Sequence, residues 1–458
     1  MFNLKTERNS IKKRKDFKEV ATGFRKWVMF EEARRCPQCH DPVCHHGCPL
    51  EIDIPKFVRL LREQNIQGAL RIIQEENDLP GICGRICHAP CETACILHEE
   101  GNPIKIRALE RHAADYGKKR EWGRKIQERN GPKVAVVGSG PAGLMAAARL
   151  ARRDYRVTVF EALPLAGGVL RYGIPEFRLP QRVLDEQIEE FRLLGVDFQT
   201  DTVIGRTVTF EELKEQEFEA IVLALGRGDP ELSHLEGEHF IGIHYAQEFL
   251  LPLNFMTPKY FERQKSLKIG KNIAVLGDGN AALDCARACA RLADKVRLVF
   301  EGTEDDMEIY PGEKEDAKQE GVTFEPMTRP AGFVSQDGFH TCGIRCLRMD
   351  FADPHGEGTW QLMPVPDSGF VLDADTVFIA KRRSPGRDTL KRIPGLKVLD
   401  DGRVWRDEDT FMTSVPGVFV AGDMVPGFSR LVEAMASGKS VASFVHQYLK
   451  DSNRERPA

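Results

Sequence analysis

The sequence predicts an α-helical, cysteine-rich N-terminal domain followed by two α/β Rossmann-like dinucleotide-binding domains, the second inserted in the first. Three observations carry this. Eight of the twelve cysteines crowd into residues 36–95. Two strand, glycine-turn, helix signatures start near Lys133 and Ile273. A C-terminal stretch ending in Ala421-Gly422-Asp423 reads as the last piece of the first α/β unit, so the second unit lies within it. The 458 residues suffice for about three domains. The expected boundaries are 1–130; 131–265 with 381–458; and 266–380.

Composition narrows the class. Apolar content of 41% and charged content of 29% are those of an ordinary globular chain. No apolar run approaches the roughly 20 residues that span a bilayer, so membrane insertion is not expected. The N-terminus is basic but lacks an apolar core, which argues against a secretory signal. The expected location is cytoplasmic, where clustered cysteines serve as metal ligands rather than disulfides. A net charge of −4 argues against nucleic acid as the main partner. The cluster Lys12, Lys13, Arg14, Lys15 reads as a solvated helix face or a local docking surface.

Residues 1–35 read as a polar helical lead-in. Cys36, Cys39, Cys44 and Cys48 follow, spaced C-x2-C-x4-C-x3-C. Residues 54–74 show helical spacing of Phe57, Leu60, Leu61, Ile66, Leu70 and Ile73, broken near Asn65. This predicts a helical hairpin that returns the second cysteine block to the first. That block is Cys83, Cys87, Cys91 and Cys95, spaced C-x3-C-x3-C-x3-C. Prolines and glycines punctuate both blocks, so short turns are expected there. Two thiolate quartets suit two soft-metal sites. Zinc is the competing occupant, but only Cys36/Cys39 has the usual C-x2-C zinc spacing. Residues 101–130 read as a charged helix and linker.

From Lys133 the pattern changes. Val134–Val137 is a short buried strand leading into Gly138-Ser-Gly140-Pro-Ala-Gly143, a helix, and a second strand ending at Glu161. In a dinucleotide fingerprint the first glycine makes the turn, the second admits the pyrophosphate and the third permits close helix packing; the acid suits a ribose diol. The pattern repeats at Ile273–Leu276, Gly277-Asp-Gly279-Asn280-Ala-Ala282, a helix, and a strand ending at Glu301. Ala282 replaces the third glycine, which the fingerprint tolerates.

These residues, with CPQCHDPVCHHGCPLEIDIPKF, LPGICGRICHAPCETAC, GGVLRYGIPEFRLP and GVFVAGDMVPGFSRLVEAMASG, resemble the glutamate synthase small-subunit family. Its relatives include the flavoprotein subunits of ferredoxin:NAD(P) oxidoreductases and the N-terminal half of dihydropyrimidine dehydrogenase. The resemblance implies an N-terminal iron–sulfur domain with two [4Fe–4S] clusters, FAD and a nicotinamide cofactor. It also implies crossed ligation: Cys36, Cys39, Cys44 and Cys95 on one cluster, and Cys48, Cys83, Cys87 and Cys91 on the other. The gap between Cys87 and Cys91 is shorter than the family's. For FAD the resemblance implies Gly138, Gly140, Gly143, Glu161, Gly168, Arg171 and Asp423, with Gly173–Pro175 near the flavin ring. For the nicotinamide nucleotide it implies Gly277, Gly279, Asn280, Ala282 and Glu301.

Most relatives carry two arginines where this chain has Glu301-Gly302. A carboxylate there accepts bonds from a ribose diol and repels a 2′-phosphate, so NAD(H) is expected, with NADP(H) the alternative. Arg382 and Arg383 could reach a phosphate or form a docking surface. Cys285/Cys289 and Cys342/Cys346 read as packing cysteines, and His40, His45, His46 and His88 as groups near the cluster ligands. No residue constellation for organic-substrate chemistry is evident, so hydride transfer is expected at flavin N5, with no catalytic side chain assigned. The expected role is an electron-transfer subunit in a hetero-oligomer. Its partner would be a large oxidoreductase subunit, or one of hydrogenase or ferredoxin type. The alternatives are a stand-alone ferredoxin-type reductase, a glutamate synthase small subunit using NADPH, and a non-catalytic assembly scaffold.

Overall fold

Capping and apolar spacing set the first helices. Asp53 accepts the Lys56 N–H at 3.1 Å and starts the helix Ile54–Arg62. Asn65 accepts the Gly68 N–H at 2.9 Å and starts Ile66–Glu76. Each bond satisfies an orphan N–H of a first turn. The two helices form the expected hairpin, burying Phe57, Val58 and Leu61 in one core with Leu70 and Ile73. The return helix Pro80–Ile86 crosses Ile106–Tyr116 at Gly84, where an added Cβ would lie 2.5 Å from the Arg111 Cα.

The computed structural model describes residues 16–117, 126–227, 229–230, 232–255, 269–307, 309–310, 312–353, 358–380, 383–384, 387–425 and 430–454. The basic cluster at residues 12–15 and Arg382 lie outside these, and of Arg383 only the backbone is described. The lead-in departs from expectation. Among the described residues the first helix is Lys26–Arg35, and no regular helix forms over residues 16–25. Phe17 and Val20 are instead buried in the core of the second nucleotide unit. The Val20 N–H bonds the Phe177 carbonyl at 2.8 Å. Tertiary burial of Phe17 and Val20 here overrides the helical reading of a polar segment.

Two parallel sheets follow. The first has the order Val418–Val420, Phe218–Leu223, Lys133–Val137, Arg156–Phe160, Asp197–Gln199. Its central strand is almost wholly buried, as expected of a parallel sheet covered on both faces. The second has the order Ile243–Tyr245, Thr376–Ile379, Asn272–Leu276, Lys295–Val299, Val322–Glu325. The strand Ile243–Tyr245 therefore pairs in the second sheet, whereas a boundary at residue 265 would leave it with the first. A three-residue, half-buried strand carries too little alternation to be read from sequence.

The second sheet is covered differently on its two faces. The helix Asn280–Cys289 packs Cys285 and Cys289 against Ile273, Val275 and Leu298. An antiparallel meander, Thr328–Ser335, Thr341–Ala352 and Phe370–Asp373, packs Phe333, Ile344, Cys346 and Leu372 against Ala274, Leu276 and Val377. Three of the four remaining cysteines are thus packing residues, and Cys342 is only half-buried. Among the described residues no helix is long and apolar enough to cross a membrane.

Candidate functional site: two thiol quartets and two nucleotide cradles

The cysteine blocks meet at a glycine. A Cβ added to Gly47 would lie 2.6 Å from the Ala94 Cβ, so the helix Val43–His46 lies directly on Pro90–Thr93. This close approach sorts the thiols. Cys36, Cys39, Cys44 and Cys95 line one cavity with Pro37, Val43 and Ile104. Burial, and then charge repulsion from Cys36, Cys95 and Cys39, push the Cys44 thiol up to about 12. Cys48, Cys83, Cys87 and Cys91 form the other group. Burial raises Cys91, with further repulsion from Cys48 and Cys87. Burial also raises Cys83, which feels Glu110, Cys87 and Cys48, and pushes Cys87 up to about 12.

Such thiols keep their protons until a cation replaces them, and metal binding then releases those protons. Among the described residues no three His, Cys, Asp or Glu side chains converge tightly enough to hold one metal ion. The first quartet instead surrounds a cavity, a donor set suited to a multi-atom soft-metal group.

The quartets differ in exposure. Cys36, Cys39 and Cys44 are half-buried, whereas Cys48, Cys83, Cys87, Cys91 and Cys95 are buried. The Gln38 amide donates to Cys36 Sγ at 3.4 Å and the Ala89 N–H to Cys87 Sγ at 3.3 Å. Cys83 Sγ lies 3.5 Å from Met435 Sδ, on the C-terminal helix Leu431–Arg454. Beside the second quartet sits Glu110, which accepts a 2.7 Å bond from the Asn77 amide. Burial pushes its carboxyl up to about 8. Nothing in the cysteine spacing pointed to it. His45 Nδ1 lies 3.0 Å from the Ile52 carbonyl and His88 stacks on Tyr310. His46 makes an exposed contact to Asp41.

The first cradle is tightly built. Gly138 has φ +105°, and an added Cβ would lie 2.4 Å from the Ala224 carbonyl oxygen. A Cβ on Gly143 would come within 2.0 Å of the Gly138 oxygen, whereas one on Gly140 would meet nothing within 4 Å. Two glycines thus pack and the middle one leaves space at the N-terminus of the helix Pro141–Ala151, where N–H groups and the helix dipole favour phosphate. Gly168 (φ +52°) lies over this turn, its added Cβ 2.8 Å from the Gly140 Cα.

Glu161 is buried. It accepts the Ser139 N–H at 3.0 Å, the Ser139 hydroxyl, and the Leu163 N–H at 2.9 Å. Arg171 is also buried and fastens its own loop, donating to the Ala166 carbonyl, Gln181 and Asp185. Asp423 lies in a single turn, Gly422–Met424. A Cβ on Gly438 would come within 2.2 Å of the Ala142 oxygen, so the C-terminal helix abuts the start of the glycine-turn helix.

The second cradle is looser. Gly277 has φ +140°, its added Cβ 2.9 Å from the Ala380 oxygen, and Gly279 faces open space. Ala282 is buried, its Cβ accommodated 3.2 Å from the position of a Gly277 Cβ. Asn280 opens the helix and accepts the Tyr310 N–H at 3.3 Å. Glu301 follows the strand Lys295–Val299 and is half-exposed; Arg329 Nε and Nη2 both lie 2.9 Å from its Oε2.

Between the cradles lies a buried charge network that the motifs did not reveal. Arg178, just after Gly173–Pro175, pairs with Asp284 at 2.7 Å and Glu313 at 3.4 Å. Arg287 bonds Glu313 and Glu320, and Arg291 bonds Glu320 at 2.9 Å. Burial pushes the Asp284 carboxyl up to about 6, despite Arg178. The signal available in sequence was Asp284 and Arg287 at i and i+3 on one helix, with Arg291 just past its end.

Comparison with known proteins fits this architecture. The family described as dihydropyrimidine dehydrogenase domain II, 4Fe-4S cluster, matches residues 13–122. The pyridine nucleotide-disulphide oxidoreductase family matches residues 132–438. The fold and these matches define the chain as an FAD- and iron–sulfur-linked pyridine-nucleotide oxidoreductase. It belongs to the glutamate synthase small-chain-like family. The glutamate synthase [NADPH] small chain of Mycobacterium tuberculosis is 34% identical, covering 96% of this chain and 92% of that one. The NADP(+)-dependent formate dehydrogenase subunit beta of Moorella thermoacetica is 36% identical over 89% of this chain, which spans 60% of that relative. FprA from Mycobacterium tuberculosis shares the fold, with TM-score 0.59 at 19% identity over 71% of this chain and 86% of that one.

Proposed function

We propose that this chain is an electron-transfer subunit. It exchanges hydride with NAD(H) and passes single electrons to or from a partner subunit. When bound, FAD and two [4Fe–4S] clusters supply the conversion between two-electron and one-electron chemistry. The observation that carries the reading is the graded placement of the quartets. The buried one touches the flavin unit through Cys83 and Met435, and the other has three half-buried thiols. That order suits an inner and an outer electron station.

In this reading Cys48, Cys83, Cys87 and Cys91 hold the inner cluster, and Cys36, Cys39, Cys44 and Cys95 the outer. Gly138, Gly140 and Gly143 receive the FAD pyrophosphate, and the Gly168 loop shields it from water. Glu161, already engaged with Ser139 and Leu163, keeps the turn in shape beside the ribose, and Arg171 stiffens the covering loop. Asp423 would bind the ribityl chain. Gly277, Gly279, Asn280 and Ala282 receive the nicotinamide nucleotide, and Glu301 its ribose diol. The network around Arg178 holds the two cradles in register. Sheet membership supports the insertion of the second unit in the first. The crossing segments pair as a two-residue ribbon, Asp229–Pro230 with Arg383–Ser384.

Relatives named as a small chain or a subunit beta favour a larger redox subunit as partner. NADP(H) is the second reading, favoured by the cofactor in those names. An anaerobic titration tests both points. NADH should bleach the flavin absorbance at lower concentration than NADPH, and the reverse order would refute the NAD(H) assignment. In Cys48→Ala, NADH should still bleach the flavin while reduction of an external one-electron acceptor falls at least tenfold. Unchanged acceptor reduction would remove the inner station from the path.

A further inference from the structure

We infer that Arg329 is a specificity residue of the second cradle: it holds Glu301 for a ribose diol and is itself a latent binding group for a 2′-phosphate. The inference rests on the reading of Glu301 as the ribose acid. It goes beyond that reading by assigning the counter-charge and its alternative ligand.

Arg329 stands where it does for reasons of backbone. The Thr328 N–H bonds the Phe300 carbonyl at 2.9 Å and the Met327 N–H bonds the Gly302 carbonyl at 3.0 Å. These two bonds run the start of the strand Thr328–Ser335 alongside the loop that carries Glu301. From behind, Arg348 donates to Thr328 Oγ1 at 3.1 Å and stacks on Phe370. The guanidinium is therefore placed by the meander and not by the glycine fingerprint, so no motif beginning at Gly277 predicts it.

The pair divides the carboxylate. Both Arg329 nitrogens address Oε2. Among the described residues no hydrogen bond reaches Oε1, which leaves it to accept ribose hydroxyls. An arginine neutralises a phosphate as readily as a carboxylate, and through the same planar fork. With Glu301 present, its guanidinium is engaged and a 2′-phosphate meets a carboxylate. With Glu301 neutral, the same guanidinium is released a short reach from the ribose 2′ position. Other nearby carboxylates limit the gain, though several are already engaged. Lys318 pairs with Glu304, Lys314 approaches Asp305 at 3.5 Å, and Asp306 accepts the Thr303 N–H and hydroxyl.

The test uses the full chain with cofactors bound and two readouts. One is kcat/KM for NADPH relative to NADH. The other is calorimetric affinity for adenosine 2′,5′-bisphosphate, which needs no turnover. Glu301→Gln should raise both the ratio and the affinity at least tenfold over the unaltered chain, with Glu301→Ser a second route to the same readout. Adding Arg329→Gln should return both to about the starting level. A double variant that keeps the gain would overturn the role of Arg329 while leaving Glu301 as the discriminating acid. No gain in either single variant would also overturn it. If the unaltered chain itself prefers NADPH and binds the bisphosphate tightly, the Glu301 reading fails instead.

Discussion

The two glycine turns share one scheme and differ in finish. In the first, the acid is buried and bonded to Ser139 and Leu163, and Gly168 presses on Gly140. In the second, the acid is half-exposed and shares an arginine from a later strand. A cofactor that stays needs a closed site, and one that comes and goes needs an open one. The same fingerprint provides both because its glycines fix only the turn. What surrounds the turn sets how tightly the site closes.

The sharpest way to break the comparison is at the third fingerprint position. Gly143→Ala places a methyl 2.0 Å from the Gly138 oxygen, so the helix must move off the turn. The purified protein should lose nearly all its flavin absorbance. Ala282→Gly in the second turn should leave flavin content unchanged and alter the NADH KM less than about threefold, an effect of about 0.5 kcal/mol. The acids give a smaller contrast. Glu161→Ala leaves the Ser139 and Leu163 N–H groups without their acceptor, which should lower stability by about 2–4 kcal/mol in denaturant unfolding. Glu301→Ala, at an exposed pair, should change it by less than about 1 kcal/mol.

The last contrast is a pH dependence that belongs to the second unit. Burial would raise Glu320, but hydrogen bonds from Arg287 and Arg291 hold it down to about 2, from an ordinary 4.5. Its contribution is present above the ordinary value and is lost as pH falls through 4.5 toward 2. By pH 4 the loss is about 1 kcal/mol. Glu320→Gln should flatten that part of an unfolding-versus-pH profile, and an unchanged slope would show that the pair is not formed.

Much of this was legible in the chain. The hairpin around Asn65, both strand–turn–helix units and the return of the C-terminal strand to the first sheet follow from local spacing. So does the return of the second cysteine block to the first through that hairpin, whereas the sorting of the thiols was implied by the family resemblance and the Gly47–Ala94 contact was not foreseen. What could not be read came from distant segments. The extended course of residues 16–25 depends on Phe177. Arg178 and Arg329 act on partners more than 25 positions away, and Glu110 is distinguished by its burial beside the thiols. Periodicity reports which face of an element is apolar, not which other element will cover it.

The N-terminal segment has one more consequence. Val20 is bonded to Phe177 in the first unit, Arg291 of the second unit donates to the Asp16 carbonyl at 3.0 Å, and Phe24 enters the core of the cysteine domain. One short stretch therefore stitches all three units together. Under the proposed electron-transfer role, this stitching would hold the thiol quartets and the nucleotide units at a fixed separation, and throughput would then follow redox driving force and nucleotide exchange rather than the arrival of a swinging domain.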